Sequence, residues 1–214
     1  MFASCLVVAL STACGQSTTP VAESAAGAAS RAVNPASISR ARTELPTGYE
    51  VGDLAGRSAP IAFWGLGPGW TAEPPQCGAL GQPAPPDAPV SGWSASGPGG
   101  IVYAVVADAA APPDPAVTGS CGAWTVSAGH TDVRVALVDA PAVTGAETVG
   151  MAVDATTVVE GGTETRSRAE TFSAYLEGRV VSVTVVTDPG ATGPALPADF
   201  AATLLVASVA AVRG

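Results

Sequence analysis

Apolar and polar positions alternate most regularly between Thr171 and Thr184. A two-residue turn at Glu177-Gly178, where glycine supplies the positive φ such turns need, sets the pairing. Leu176 then faces Arg179, Tyr175 faces Val180, Ala174 faces Val181, Ser173 faces Ser182, Phe172 faces Val183 and Thr171 faces Thr184. Successive side chains of a strand point to opposite faces. Phe172, Ala174, Val181 and Val183 therefore share an oily face, and the Thr and Ser pairs share a face expected to meet water. Gly161-Gly162 marks a second turn upstream. Pairing across it sets Met151 opposite Phe172 and Val149 opposite Ala174, which carries the oily face onto a third strand.

The pattern changes period after Leu196-Pro197-Ala198-Asp199. Proline suits the start of a helix and an acid suits its first turn. Phe200, Leu204, Ala207 and Ala211 recur at helical spacing, with Leu205, Val209 and Val212 beside them. The run is shorter than the roughly 20 residues a bilayer crossing needs. It is expected to lie on the oily sheet face.

Upstream, Ser37–Glu44 predicts a short helix, Gly48–Val51 and Ile61–Trp64 predict short strands, and Gly65–Trp70 predicts a glycine-rich loop. A short helix carrying Cys77 and Leu80 follows Pro74-Pro75. Ile101–Ala107, Ala123–Ala128 and Val133–Val138 predict strands, with Pro112–Gly119 a loop. The fold class is α+β: a largely antiparallel twisted sheet of about six or seven strands with the C-terminal helix packed on one face.

The N-terminus changes the picture. A short apolar run, Phe2–Leu10, leads into Leu10-Ser11-Thr12-Ala13-Cys14-Gly15, which resembles a bacterial lipobox. In that motif small residues precede a cysteine that receives diacylglycerol. Residues 1–13 are then a signal peptide, shorter than the usual 15–30 or so and without a basic start, so the natural start is expected upstream. A plain secretory signal is the competing reading. Residues 14–37, rich in Ser, Thr, Ala and Gly, form a flexible tether, and residues 38–214 form a single domain. Several acyl chains on Cys14 would hold the protein at the membrane's extracytoplasmic face, since one chain alone binds only marginally.

The chain has four cysteines. With Cys5 removed and Cys14 acylated, Cys77 and Cys121 remain, and in an oxidising compartment they are most simply a disulfide. It closes the least regular part of the sequence, from Pro74-Pro75 through Gly97-Pro98-Gly99-Gly100. Among 214 residues there are nine basic ones, all arginine, and the net charge is −9. Nucleic acid binding needs clustered cations, so this charge argues against it, and no nucleic-acid partner is expected.

Candidates for catalysis are sparse. His130, the one histidine, lies at an expected hairpin tip beside Asp132, a poor platform for a triad. Gly92-Trp93-Ser94-Ala95-Ser96 lacks the second glycine of a nucleophile elbow. No catalytic residue, metal-ligand set or cofactor is expected. Trp64, Trp70 and Trp93 stand near glycine-rich loops, where aromatics can line a ligand cleft. The competing role for them is packing around the disulfide, beside Trp124.

A lipobox, a low-complexity tether, Leu45-Pro46-Thr47-Gly48-Tyr49, Trp70 with Pro74-Pro75-Gln76-Cys77, Gly119-Ser120-Cys121 and a strand-rich half ending in an apolar helix together resemble exported actinobacterial lipoproteins. More narrowly, residues 38–214 are similar to mycobacterial lipoproteins whose domain of unknown function is related to the PknH-type extracellular sensor domain. The resemblance implies a mixed sheet-and-helix fold with a cleft, and ligand binding rather than catalysis. The expectation is thus a lipid-anchored, sensor-like envelope protein that binds a small or lipid-like ligand or a partner protein. The alternatives are a structural adaptor of an envelope complex and, behind it, a hydrolase using His130 or paired acids.

Overall fold

Alternation of small and branched apolar residues with polar ones puts more of the described chain into strands than into helices. The structure, a computed structural model, describes residues 32–54, 59–109, 111–188 and 193–214. Residues Arg31–Gly214 form one compact unit. Its strands are β1 (Glu50–Asp53), β2 (Thr71–Glu73), β3 (Val90–Gly97), β4 (Gly100–Asp108), β5 (Ala123–Ala128), β6 (Thr131–Val138), β7 (Glu147–Val158), β8 (Glu164–Leu176) and β9 (Arg179–Thr187). They build one sheet in the order β1-β3-β4-β9-β8-β7-β6-β5-β2. Every pairing is antiparallel.

Nine strands among the described residues exceed the six or seven expected, and helices are few. The main addition is β3, hidden in sequence by Gly, Ser and Ala. Its Trp93 and Ala95 point inward and are completely buried. Conversely, the apolar run read as a strand at Ile61–Trp64 is the single turn α1 (Pro60–Phe63), with Pro60 at its first position. The short helices α2 (Gly78–Gly81) and α3 (Pro115–Ser120) lie around the disulfide, and a 3-10 helix spans Pro35–Glu44.

The β8–β9 register is the expected one, from Leu176 with Arg179 to Thr171 with Thr184. The β7–β8 register is not. Val158 pairs with Glu164, so the connection is residues 159–163 rather than Gly161-Gly162 alone. Both glycines do take positive φ, +86° and +79°. An odd number of loop residues shifts the ladder by one, which moves every β7 side chain to the opposite face. Gly150, not Met151, therefore faces Phe172, and Met151 faces Thr171. Met151 belongs to the second core, not to the oily face of Phe172.

One face of the sheet carries Trp93, Val102, Ala104, Phe172, Ala174, Val181 and Val183. It is covered by the 3-10 helix and by α4 (Phe200–Arg213), whose buried stripe is Ala201, Leu204, Leu205, Ser208, Val209 and Val212. The C-terminal helix thus packs where the sequence puts it. The opposite face was expected to be wet, but it is a second core. Trp64, Leu66 and Leu80 cover Val126, Val133, Val135, Met151 and Val153. Thr171, Ser173, Ser182 and Thr184 lie within it at 0–3% exposure. A hydroxyl both donates and accepts, so paired hydroxyls satisfy one another without water. Thr171 and Thr184 are 3.0 Å apart, Ser173 and Ser182 2.9 Å, and the Trp64 indole N–H donates to Thr171 Oγ1 at 3.0 Å.

The fold begins inside the stretch read as tether. Asn34 N–H donates to the Val212 carbonyl at 2.8 Å. Arg179 donates to the Val33 carbonyl at 2.7 Å and pairs with Asp108 at 3.1 Å. The chain is thereby fastened at the Glu177-Gly178 end of the sheet.

Tyr175 lies in the second core. Burial, with the Glu147 carboxylate adding to it, pushes its phenol well above the ordinary 10.0. Below that value both folded and unfolded chains keep the proton. Above it the unfolded chain ionises first, so stability falls as pH rises through the alkaline range. Tyr175→Phe is expected to flatten this fall, read as urea midpoints at pH 9 and above, roughly. An unchanged slope would show that Tyr175 ionises freely.

Candidate functional site

The helical layer covers only half of its face. α4 packs on β8 and β9, and the 3-10 helix packs on β3 and β4. The same face of β5, β6, β7 and the first half of β8 stays open. Strand alternation there sends Val133, Val135, Val153 and Ala155 into the second core and turns polar side chains outward. The ladders align them in rows. One row runs Thr125, Arg134, Asp154, Arg168; the next runs Ser127, Asp132, Thr156, Arg166. All are exposed except Thr156, which is half-buried.

Arg168 pairs with Asp154 at 3.2 Å and Arg166 with Glu164 at 3.3 Å. Arg134, Asp132 and Glu170 form no ion pair among the described residues. A cavity of about 380 Å3 is lined by Arg134, Arg166 and Arg168 with Asp154 as its one acid. It adjoins a second of about 450 Å3, lined by Arg134, Arg166, the hydroxyls of Thr125 and Ser127, and the carboxylates of Asp132 and Glu164. At the other end, Asp154 and Arg168 also border a cavity of about 290 Å3 beneath the start of α4. Together these make one groove, rich in arginine along the open sheet and with more apolar side chains where it meets the helix.

The residues named from sequence lie elsewhere. Trp64 and Trp93 are 1% and 0% exposed and sit in different cores, on opposite faces of the sheet. The Trp93 indole donates to the Ile38 carbonyl at 3.0 Å. Trp70 is half-buried and packs so closely that a Cβ on Gly78 would lie 2.7 Å from its ring. Trp124 meets Trp64 edge to face at 6.0 Å. The structure does not bring Trp64, Trp70 and Trp93 together, and none lines the groove. Cys77 and Cys121 are bonded and fully buried. Cys14 and the residues assigned to the signal peptide lie outside the described residues. His130 is exposed at the β5–β6 turn, where its carbonyl accepts from Val158 N–H. No group of three His, Cys, Asp or Glu among the described residues is placed to hold a metal.

A family model described as a domain of unknown function, DUF5642, matches residues 34–213. The chain belongs to the DUF5642 family. The match begins at Asn34, the residue that bonds to the C-terminal helix, and includes the whole groove. No curated protein matches the chain. Among solved structures, the chain is similar to the Rv0999 ortholog from Mycobacterium smegmatis, an uncharacterised protein. Identity is 20%, the TM-score is 0.63, and the match covers 85% of this chain and 98% of the other. That likeness shows a shared fold. The expected likeness to the extracellular domain of PknH from Mycobacterium tuberculosis is found too, at 14% identity and TM-score 0.44, covering 82% and 90% of the two chains.

The groove was missed in the sequence, although a signal for it exists. Charge alternates with period two in Asp132-Val133-Arg134 and in Glu164-Thr165-Arg166-Ser167-Arg168-Ala169-Glu170. That is the mark of a strand face left without a cover.

Proposed function

We propose that this protein is a non-catalytic, sensor-like binding domain, moored by acyl chains on Cys14 at the extracytoplasmic face of the membrane. It captures a small anionic ligand in the open groove. The convergence of Arg134, Arg166 and Arg168 on one cavity carries this reading. They are a third of the nine basic residues of a chain with net charge −9. Guanidinium groups grip carboxylate or phosphate bidentately. Arg134 is free to do so, and the exposed Arg166 and Arg168 pairs are worth only about 0–1 kcal/mol each, so an incoming oxyanion displaces little. Val33 is held by Arg179, at the end of β8 remote from Arg166.

Native mass spectrometry of protein taken from its own envelope tests both halves. The parent is expected to carry a small-molecule adduct that the Arg134→Glu/Arg168→Glu variant loses. Metabolic labelling with a fatty-acid analogue is expected to tag the parent and not Cys14→Ala. An adduct retained by the charge-reversed variant would remove the ligand from the groove. An unlabelled parent would remove the anchor.

A further inference from the structure

We infer that the ligand is a single-chain amphiphile, its anionic head on Arg134, Arg166 and Arg168 and its apolar chain in the cavity beneath the start of α4. This rests on the groove being the binding site. The two cavities are neighbours, both lined by the exposed Asp154–Arg168 pair, 3.2 Å apart, and a molecule that parts this pair reaches from one into the other. The cavities differ in charge. The first has three arginines and one acid, whereas the second has one arginine, Arg168, and two acids, Asp154 and Glu170, beside the apolar Ala152, Val185, Leu196, Pro197, Phe200 and Ala201.

Charge fixes the direction in which such a molecule lies. Glu170, which forms no ion pair among the described residues, stands at the apolar cavity and repels an anion there. The head is therefore driven towards Arg134, and the chain is left beside Phe200. Size limits the chain. About 290 Å3 is at or below the small end of ordinary ligand sites, roughly 300–1,000 Å3. One aliphatic chain of medium length fits where the two chains of a bilayer lipid do not.

Calorimetric titration of the full chain with inorganic phosphate and with butyl, hexyl and octyl phosphate, kept below micelle formation, tests the assignment. Affinity is expected to rise by up to roughly fourfold per added methylene until the cavity fills. Arg134→Glu/Arg168→Glu is expected to weaken every phosphate at least tenfold, about 1.4 kcal/mol. Ala152→Phe, which fills the apolar cavity, is expected to abolish the chain-length gain while leaving inorganic phosphate binding intact. Should Ala152→Phe fold poorly, Ala198→Trp at the exposed wall serves instead. Equal affinity for inorganic and octyl phosphate, both dependent on the arginines, would overturn the amphiphile and leave the anion site standing. Octyl glucoside binding as well as octyl phosphate would overturn the anionic head. No binding by any phosphate would overturn this inference together with the anion-binding groove beneath it.

Discussion

Trp64→Ala is expected to destabilise the domain by about 3–5 kcal/mol, the usual loss for a fully buried large aromatic. The measurement is a lowered urea midpoint at unchanged slope. Trp64 is the largest side chain that closes the second core, and it is 1% exposed. Three contacts fix it. Its N–H donates to Thr171, its ring meets Trp124 edge to face, and α2 comes so close that a Cβ on Gly81 would lie 2.9 Å from the ring. Removing it leaves a void too large for neighbouring Ala59 and Leu66 to fill. It also uncovers a hydroxyl ladder that was dry. Trp64→Phe keeps most of the ring and should cost less, because Thr171 retains Thr184 as a partner. The same variant separates two ideas of the site. Trp64 lies across the sheet from the groove, so the folded fraction of Trp64→Ala is expected to bind octyl phosphate normally. Loss of that binding in protein that is still folded would return the ligand to the tryptophans. A midpoint equal to the parent's would show that residues 59–66 are not docked on the sheet.

What could be read from the sequence depended on how tightly each turn fixes its strands. Glu177-Gly178 allows one pairing only, so the β8–β9 ladder was legible pair by pair. The β7–β8 connection was not, because Gly161-Gly162 sits inside a longer loop whose ends leave no local mark. The slip matters for function. It would set Asp154 opposite Ala169, on the far face from Arg168, and would break the row that forms the groove. β3 was illegible for another reason: Gly92, Ser94 and Ala95 are poor strand formers, and β3 exists because β1 and β4 hold it on either side. Ile61–Trp64 shows the reverse case, an apolar run without period that a strand or a helical turn can equally hold. α4 and its buried face were legible from spacing alone. Where the helical layer stops was not, since that depends on which strands α4 crosses. The groove therefore had its charges visible in sequence but not its openness.

Loss of the Cys77–Cys121 bond is expected to lower stability by roughly 4 kcal/mol, the chain-entropy value for a loop of this length. The sulfurs join residues 44 apart in sequence, with Cα atoms 5.6 Å apart. The enclosed segment contains β3 and β4 and a proline-rich stretch, a region with much freedom when unfolded. The bond also has a local effect. It ties Cys77, the residue before α2 and four residues after β2, to Cys121, just after α3 and two residues before β5, and β2 is an edge strand paired only through Thr71, Ala72 and Glu73. Three pairs hold an edge weakly, and α2 and α3 are too short to be stable alone. The double variant Cys77→Ala/Cys121→Ala is expected to show both effects. Its urea midpoint should fall as far as that of the reduced parent, and hydrogen exchange should quicken first at residues 71–73. The fraying edge adjoins Thr125 and Ser127, so the outer end of the groove should loosen before the end beneath α4. Inorganic phosphate binding would then weaken slightly while the gain from a longer alkyl chain persists. A double variant within about 1 kcal/mol of the parent would mean that the sheet alone confines the enclosed segment, with loop closure contributing little.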